Sequence, residues 1–329
     1  MEKYRVGIVG ATGMVGQRFI SLLKDHPWFE VNCVAASARS AGKTYREAVG
    51  ERWAFAWEIP EKVAGMTVVD AADIDEVSKH VDFVFCAVDM KKDEIRALEE
   101  AYAKHEIPVV SNNSACRGIE DVPMVVPEIN ADHLAVIEAQ KKRLGTKNGF
   151  IAVKPNCSIQ SYVPALTPLL DFEPEKVSVC TYQAISGAGK TFKTWPEMVD
   201  NVIPYIGGED EKSENEPLKL WGHVGDGKIV NATLPVISAQ CLRVACSDGH
   251  MAAVSVSFKK KPTIEQIKER WANYETEAQR LELPSAPKPF LQYFEDPSRP
   301  QTRLDRDFQN GFGVSIGRLR EDKLFDYRF

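Results

Sequence analysis

Three glycines, at positions 10, 13 and 16, constrain this chain more than any other feature in it. Before them stands Tyr4-Arg-Val-Gly-Ile-Val9, a compact β-branched run of strand length. After them comes the amphipathic, helical Gln17-Arg-Phe-Ile-Ser-Leu-Leu-Lys24. A strand, a glycine-rich turn and a helix in immediate succession open a βαβ unit, which builds a parallel sheet with helices on its faces. Glycine allows a tight turn and close approach of the main chain to a ligand. The first amides of the following helix have no intrahelical acceptor and face an anion. GxxGxxG is a variant of the dinucleotide fingerprint, so Gly10, Thr12, Gly13, Met14, Val15 and Gly16 are candidate contacts to a cofactor pyrophosphate.

The alternation continues through the N-terminal half. A second strand, Val31-Asn-Cys-Val-Ala-Ala36, ends in Ser37-Ala-Arg39-Ser40-Ala-Gly-Lys43. A site that prefers NAD usually carries a carboxylate here for the ribose hydroxyls. Ser37, Arg39, Ser40 and Lys43 instead suit a 2′-phosphate, so the expected cofactor is NADP. Two further strands, Val81-Asp-Phe-Val-Phe-Cys-Ala-Val88 and Pro108-Val-Val-Ser111, each precede a polar turn of the kind that lines the carboxyl edge of a parallel sheet. The second runs into Asn112-Asn113-Ser114-Ala-Cys-Arg117, where Asn113 and Arg117 are candidates for a phosphate or for the cofactor.

The C-terminal half supplies a different chemistry. Cys157 lies in Ala152-Val-Lys-Pro-Asn-Cys157-Ser-Ile. A thiolate holds an acyl group as a thioester, and a nicotinamide delivers hydride to it, so the two together interconvert an activated carboxylate and an aldehyde. Ile159–Leu170 reads as a helix kinked or shortened by Pro164 and Pro168, which places Cys157 at or near a helix N-terminus that favours the thiolate. A strand beginning at Val177 delivers Gln183 into Ser186-Gly-Ala-Gly189, and Ser186, Gly187 and Gly189 can lie close to a flat ring. Arg243 and His250 are seven residues apart, and His250 precedes the alternating strand Met251–Phe258. Beside a nucleophile in the same domain, His250 is the acid/base candidate. Four other histidines lie in the cofactor half, and His223 is the only rival. The polar, acidic stretch Gly207–Glu216 reads as a solvated loop.

Composition narrows the partners. At 329 residues and 44% hydrophobic content, the chain suits two domains, expected at 1–154 and 155–329. A net charge of −6 without a basic stripe argues against nucleic acid. No apolar stretch reaches the length of a membrane span, and the N-terminus does not resemble a signal peptide. Seven cysteines without a CxxC pair or metal-ligand spacing suit reduced thiols in the cytoplasm, with no metal expected.

Taken in order, GATGMVG, SNNSACR, PNCS, TYQAISGAGK, EPLK and RVACSDGH resemble the aspartate-β-semialdehyde dehydrogenase family, in the branch found in archaea, fungi and some bacteria. The resemblance spans essentially the whole chain. It implies an N-terminal Rossmann-type parallel-sheet domain and a C-terminal α+β catalytic and dimerisation domain with a mainly antiparallel sheet. The implied reaction is NADP-dependent reductive dephosphorylation of aspartyl-β-phosphate to aspartate semialdehyde, on the route to lysine, methionine and threonine. In it Cys157 is the nucleophile, His250 the acid/base and Gln183 the group that orients the acyl intermediate. Arg243 clamps the substrate α-carboxylate and Glu216 receives the α-ammonium. Lys219, Arg117 and Asn113 hold the phosphate, with Asn156 beside the nucleophile. The resemblance also implies a homodimer or homotetramer, and a Gly/Ala-rich helix after the Ser315–Arg320 strand and its return strand. This sequence stops at Phe329, inside or just after that return strand. Malonyl-CoA reductase and N-acetyl-γ-glutamyl-phosphate reductase share the cofactor domain, cysteine and histidine, but their substrates offer Glu216 no free ammonium. A non-catalytic NADP-binding protein is the reading from another class. The intact Cys, Gln, Arg and His set argues against it.

Overall fold

The computed structural model describes residues 2–329 in two compact units. The first comprises the chain up to Val125 together with Asp132–Lys154 and Val224–Ile229. The second comprises Val126–Ala131, Pro155–His223 and Val230–Phe329. Each unit thus takes in a short segment from beyond a single cut after residue 154.

In the first unit, β1 (Tyr4–Val9), β2 (Phe29–Ala36), β3 (Val69–Asp70), β4 (Phe83–Cys86), β5 (Val109–Ser111) and β6 (Ile151–Val153) form one parallel sheet in the order β3-β2-β1-β4-β5-β6. Parallel strands covered on both faces need continuous apolar runs, and Val6, Ile8, Val9, Val34 and Ala35 are fully buried. Strand order reverses between β1 and β4, and their carboxyl ends form the crevice where such sheets bind ligands. The helix Met14–Leu23 starts directly behind β1 and buries Gln17, Ile20 and Leu23 at helical spacing.

In the second unit, β7 (Pro174–Gln183) and β8 (Val202–Ile203) come first, and a hairpin of β9 (His223–Gly225) and β10 (Lys228–Val230), most of it counted with the first unit, follows in the chain. Then follow β11 (Val236–Val244), β12 (Met251–Phe258), β13 (Leu291–Phe294), β14 (Val314–Gly317), β15 (Arg320–Glu321) and β16 (Tyr327–Arg328). The main sheet runs β15-β16-β12-β7-β11-β8. Four of its five pairings are antiparallel, and only β7 with β11 is parallel. Along β7, Val177, Val179, Thr181 and Gln183 point inward while Lys176, Ser178 and Tyr182 point outward. This is the two-residue period of a sheet with one covered face. The expected α/β class and the contrast between the two sheets are both present, and β16 is the anticipated return strand.

Two local expectations are corrected. Ile159–Leu170 is no continuous helix: a 3-10 turn, Ser158–Ser161, is followed by Val163–Leu166 and a second 3-10 stretch, Thr167–Phe172. Pro164 and Pro168 lack the N–H groups that a continuous ladder needs. Cys157 therefore caps one short turn, and the dipole of a full helix is not available to it. Gly207–Glu216 is no solvated loop either. Glu209–Leu220 is an α-helix with Glu209, Asp210 and Glu211 in its first turn, where acidic side chains complement the dipole. Its buried residues Glu209, Ser213, Pro217 and Leu220 fall at helical spacing.

Candidate active site

The cofactor candidates of the first unit stand at the carboxyl edge of its sheet. Gly10 has φ +89°, and a Cβ there would strike the Ala87 carbonyl. The Gly10 and Ala11 amides donate to Ala35 O at 2.8 and 3.0 Å, which joins the turn to the end of β2. Gly13 caps the helix Met14–Leu23 with no side chain on its amides, so Thr12, Met14, Val15 and Gly16 surround unclaimed donors. At the end of β2, Ser37, Arg39 and Lys43 are exposed, Ser40 is half-buried, and Ser40 N–H closes the turn onto Ser37 O. No carboxylate lies between Ser37 and Lys43.

After β5, the loop that carries Asn113 and Arg117 is built on a buried carboxylate. Ser111 Oγ donates to Glu99 at 2.5 Å, Asn113 Nδ2 donates to the same oxygen at 3.0 Å, and Asn113 N–H donates to Ser111 Oγ. Arg117 Nη2 reaches Asn112 O at 3.3 Å. The two phosphate candidates thus share one loop, and Glu99, fully buried in the helix Lys92–Lys104, holds its polar side chains.

The second unit holds the reactive groups. His250 Nε2 lies 3.3 Å from Cys157 Sγ. The ring's other nitrogen, Nδ1, accepts the Ala184 N–H at 3.0 Å, and Arg243 Nη1 donates to the Ala184 carbonyl at 2.8 Å. One residue at the end of β7 therefore orients both the imidazole and the guanidinium. Burial pulls the Arg243 pKa down, while attraction to Cys157 and Glu209 partly restores it. Gly187 fits against both side chains, since a Cβ there would lie 2.9 Å from Arg243 Nη1 and from His250 Cε1. Ser186 and Gly189 complete this turn, with Ser186 N–H on Ser247 O.

Asn156 and Gln183 meet at Glu209, a residue the sequence reading assigns to solvent. Asn156 Nδ2 contacts both Glu209 oxygens at 3.0 and 2.9 Å, Gln183 Nε2 donates at 3.2 Å and Lys212 Nζ at 2.7 Å. Burial pushes the Glu209 carboxyl upward, but the bonds from Lys212 and Asn156, the Lys212 charge and the Gln183 bond outweigh it and hold the pKa low. Asn156 Oδ1 accepts from Ser158 N–H and Oγ, and its own N–H donates to Glu216 Oε2 at 2.5 Å. Glu216 and Lys219 follow on the same helix, three residues apart. The only sign of Glu209 in the sequence is its place at the start of an amphipathic acidic segment.

Cys33, Cys86, Cys116 and Cys241 are buried, and burial pushes the Cys33 thiol up to about 12 and raises those of Cys86, Cys116, Cys180 and Cys241. His223 opens β9 on the surface. Cys157 and His250 border a cavity of about 580 Å³ in the second unit, of small-ligand size, with Arg306, Arg318 and Arg320 on its walls. Burial and the like charges of Arg318 and Arg328 lower the Arg320 pKa, a crowding of cations that suits an anion.

A family model described as semialdehyde dehydrogenase, NAD binding domain, matches residues 5–137. A second, semialdehyde dehydrogenase, dimerisation domain, matches residues 166–329. The aspartate-semialdehyde dehydrogenase of Archaeoglobus fulgidus is 42% identical to this chain, over 97% of the chain and 90% of the relative. That of Schizosaccharomyces pombe is 43% identical, over 99% and 91%. The crystal structure of the Candida albicans aspartate semialdehyde dehydrogenase with NADP is similar at TM-score 0.89 and 37% identity, covering 99% of this chain and 92% of that one.

Proposed function

The chain belongs to the aspartate-semialdehyde dehydrogenase family, and on that premise we propose that it converts L-aspartyl-β-phosphate to L-aspartate-β-semialdehyde and phosphate with NADPH, reversibly, in lysine, methionine and threonine biosynthesis. The observation that carries the reading is His250 Nε2 at 3.3 Å from Cys157 Sγ, with Arg243 and Gln183 buried in the same unit.

The residues present fit NADP. A Cβ would fill the space at Gly10, the helix behind it leaves its first amides uncapped, and Arg39 and Lys43 lie exposed at the end of β2. Gly10, Thr12, Gly13, Met14, Val15 and Gly16 would hold the pyrophosphate and Ser37, Arg39, Ser40 and Lys43 the 2′-phosphate, with Ser186, Gly187 and Gly189 on the nicotinamide. When bound, the cofactor supplies hydride to the thioester carbon.

Cys157 attacks the acyl carbon and expels phosphate, which leaves the aspartyl group on sulfur as a thioester. After reduction, the C–S bond breaks and releases the aldehyde. His250 serves as the acid/base group beside the sulfur. Arg243 offers a two-pronged donor to the substrate α-carboxylate, and Glu216 accepts from the α-ammonium. Gln183 orients the acyl group, and Lys219, Arg117 and Asn113 take the phosphate. Asn156 braces the backbone of the nucleophile turn.

The division of labour follows the two expected domains, 1–154 for NADP and 155–329 for catalysis and dimerisation. Val202 and Val236, 55% and 64% exposed on β8 and β11, and Tyr182 give the outer face of the second sheet an apolar character suited to a second copy. A homodimer, or a dimer of such dimers, is proposed. No helix among the described residues is long and apolar enough to cross a membrane, and a cytoplasmic location is proposed.

The test is NADPH oxidation with aspartyl phosphate, malonyl-CoA and N-acetyl-glutamyl phosphate in parallel. Turnover of aspartyl phosphate alone is expected. Preference for either of the others would replace this reading with one of the related reductases.

A further inference from the structure

We propose that Tyr45 is a positioning residue for the cofactor: with Gln17 it turns the Ala11 and Thr12 carbonyls away from the pyrophosphate and so aims the Thr12 N–H at it. The proposal rests on the reading of residues 10–16 as the pyrophosphate turn and names what sets that turn.

Backbone carbonyls are the hazard in such a turn. An anion is held by N–H groups that converge on it, and a carbonyl oxygen among them would repel it. Each carbonyl from Gly10 to Gly13 has a donor. The outer two are met locally: Gly13 N–H donates to Gly10 O at 3.2 Å, and Gln17 N–H donates to Gly13 O at 2.9 Å. The middle two are met by side chains. The Tyr45 hydroxyl donates to Ala11 O at 2.8 Å from 34 residues along the chain, and Gln17 Nε2 donates to Thr12 O at 3.0 Å.

Both side chains are fixed in these roles. Tyr45 is fully buried, and its N–H is bonded to Met66 O at 2.7 Å. It opens a short helix, Tyr45–Val49, whose first turn is closed by Thr44 and Glu47. Burial pushes the phenol above its ordinary pKa range, so the hydroxyl keeps its proton and donates. Gln17 is also buried, and its Oε1 accepts Ala54 N–H at 2.8 Å. That bond sets the carboxamide one way round, with Nε2 on Thr12 O and on Arg52 O.

A trans peptide points its C=O and N–H in opposite directions. With the Ala11 oxygen held inward on Tyr45, the Thr12 N–H points outward, and it has no acceptor among the described residues. The Gly10 and Ala11 amides are spent on Ala35 O and the Gly13 amide on Gly10 O, so Thr12 N–H is the amide of this turn left for a ligand. Ala11 is itself fully buried, where a carbonyl without a donor is costly. Loss of the Tyr45 hydroxyl therefore favours rotation of the Ala11–Thr12 peptide. That rotation brings the oxygen out to water, takes the N–H in, and sets a carbonyl where the phosphate is expected.

Two measurements test this, and neither uses turnover. The first compares the unaltered chain with Tyr45→Phe by quenching of tryptophan fluorescence, with NADPH, NADH and adenosine as probes. The Kd should rise about tenfold for both dinucleotides, on the scale of one lost charge-assisted bond, and stay unchanged for adenosine, which has no phosphate. A hydroxyl that only stabilised the fold would lower the melting temperature and leave all three affinities alone. That result overturns the proposal, as does an equal loss for adenosine. If the unaltered chain binds neither dinucleotide, the cofactor reading itself fails and takes the proposal with it. The second measurement stands even if Tyr45→Phe does not fold. In the unaltered chain labelled with ¹⁵N-threonine, the Thr12 amide, identified by its loss in Thr12→Ser, should move downfield when NADPH binds. A Thr12 resonance that stays in place at saturating NADPH overturns the proposal.

Discussion

The two units solve recognition by different means. In the first, the contacts expected for the cofactor pyrophosphate come from consecutive residues: a strand, a glycine turn and a helix start, all within Tyr4–Leu23. Main-chain groups do most of the work there, and neighbours in sequence are neighbours in space. In the second, each reactive group is held from far along the chain. His250 is set by an amide 66 residues away, its Nε2 meets a sulfur 93 residues away, and Asn156 is held by a carboxylate 53 residues away. Binding a phosphate needs only a correctly bent backbone, whereas a sulfur held against an imidazole needs a fold.

If that contrast is right, damage to the second unit should spare the first. The largest effect is expected from Cys157→Ser: turnover vanishes, because a serine hydroxyl is a poor nucleophile at neutral pH, while NADPH binding by fluorescence titration is unchanged. Loss of cofactor binding in that variant would show the two units to be energetically joined. His250→Ala should lower kcat by roughly 10²–10⁴-fold, read in the same assay, again without a change in NADPH affinity.

Glu209→Gln sharpens the comparison, because it removes no group proposed to touch substrate. It sets an amide N–H₂ among the donors of Asn156, Gln183 and Lys212, at a cost of about 1–3 kcal/mol for a buried mismatch. Since the native carboxyl is held below its ordinary pKa, its share of stability is present above the unfolded value and is lost as pH falls through the lowered one. Urea unfolding should separate the two proteins at neutral pH and bring them together in acid. A constant gap at all pH values would mean that the carboxylate charge is not what stabilises the helix start.

The smallest effect belongs to the first unit. Arg39→Ala should raise the KM for NADP about tenfold, on the scale of one charge-assisted bond, and scarcely touch NAD. Equal loss for both would place Arg39 away from the 2′-phosphate.

The same contrast explains what could be read from the sequence. The parallel sheet and its glycine turn are legible because a βαβ unit writes its strand, turn and helix in order. The strand Met251–Phe258 is visible in its alternation, whereas the antiparallel character of the second sheet is implied by the family resemblance. Glu209 is not legible, because a run of acidic residues reads as a solvated surface until its helix is seen to turn one carboxylate inward. Ala184 is invisible for a different reason: its contribution is an N–H and a C=O that every non-proline residue carries. The apolar run behind Cys157 predicts a helix start there, but two prolines break that run into short turns.

Gly187 has a consequence for anyone who would redesign this chain. Exchanging a loop glycine for alanine is an ordinary way to stiffen a protein, since it narrows the unfolded ensemble. At this position the added methyl would wedge between the imidazole and the guanidinium and move whichever gave way. The turn is therefore a place where thermal robustness and reactivity are set against each other, and a screen for heat resistance alone would select in the wrong direction.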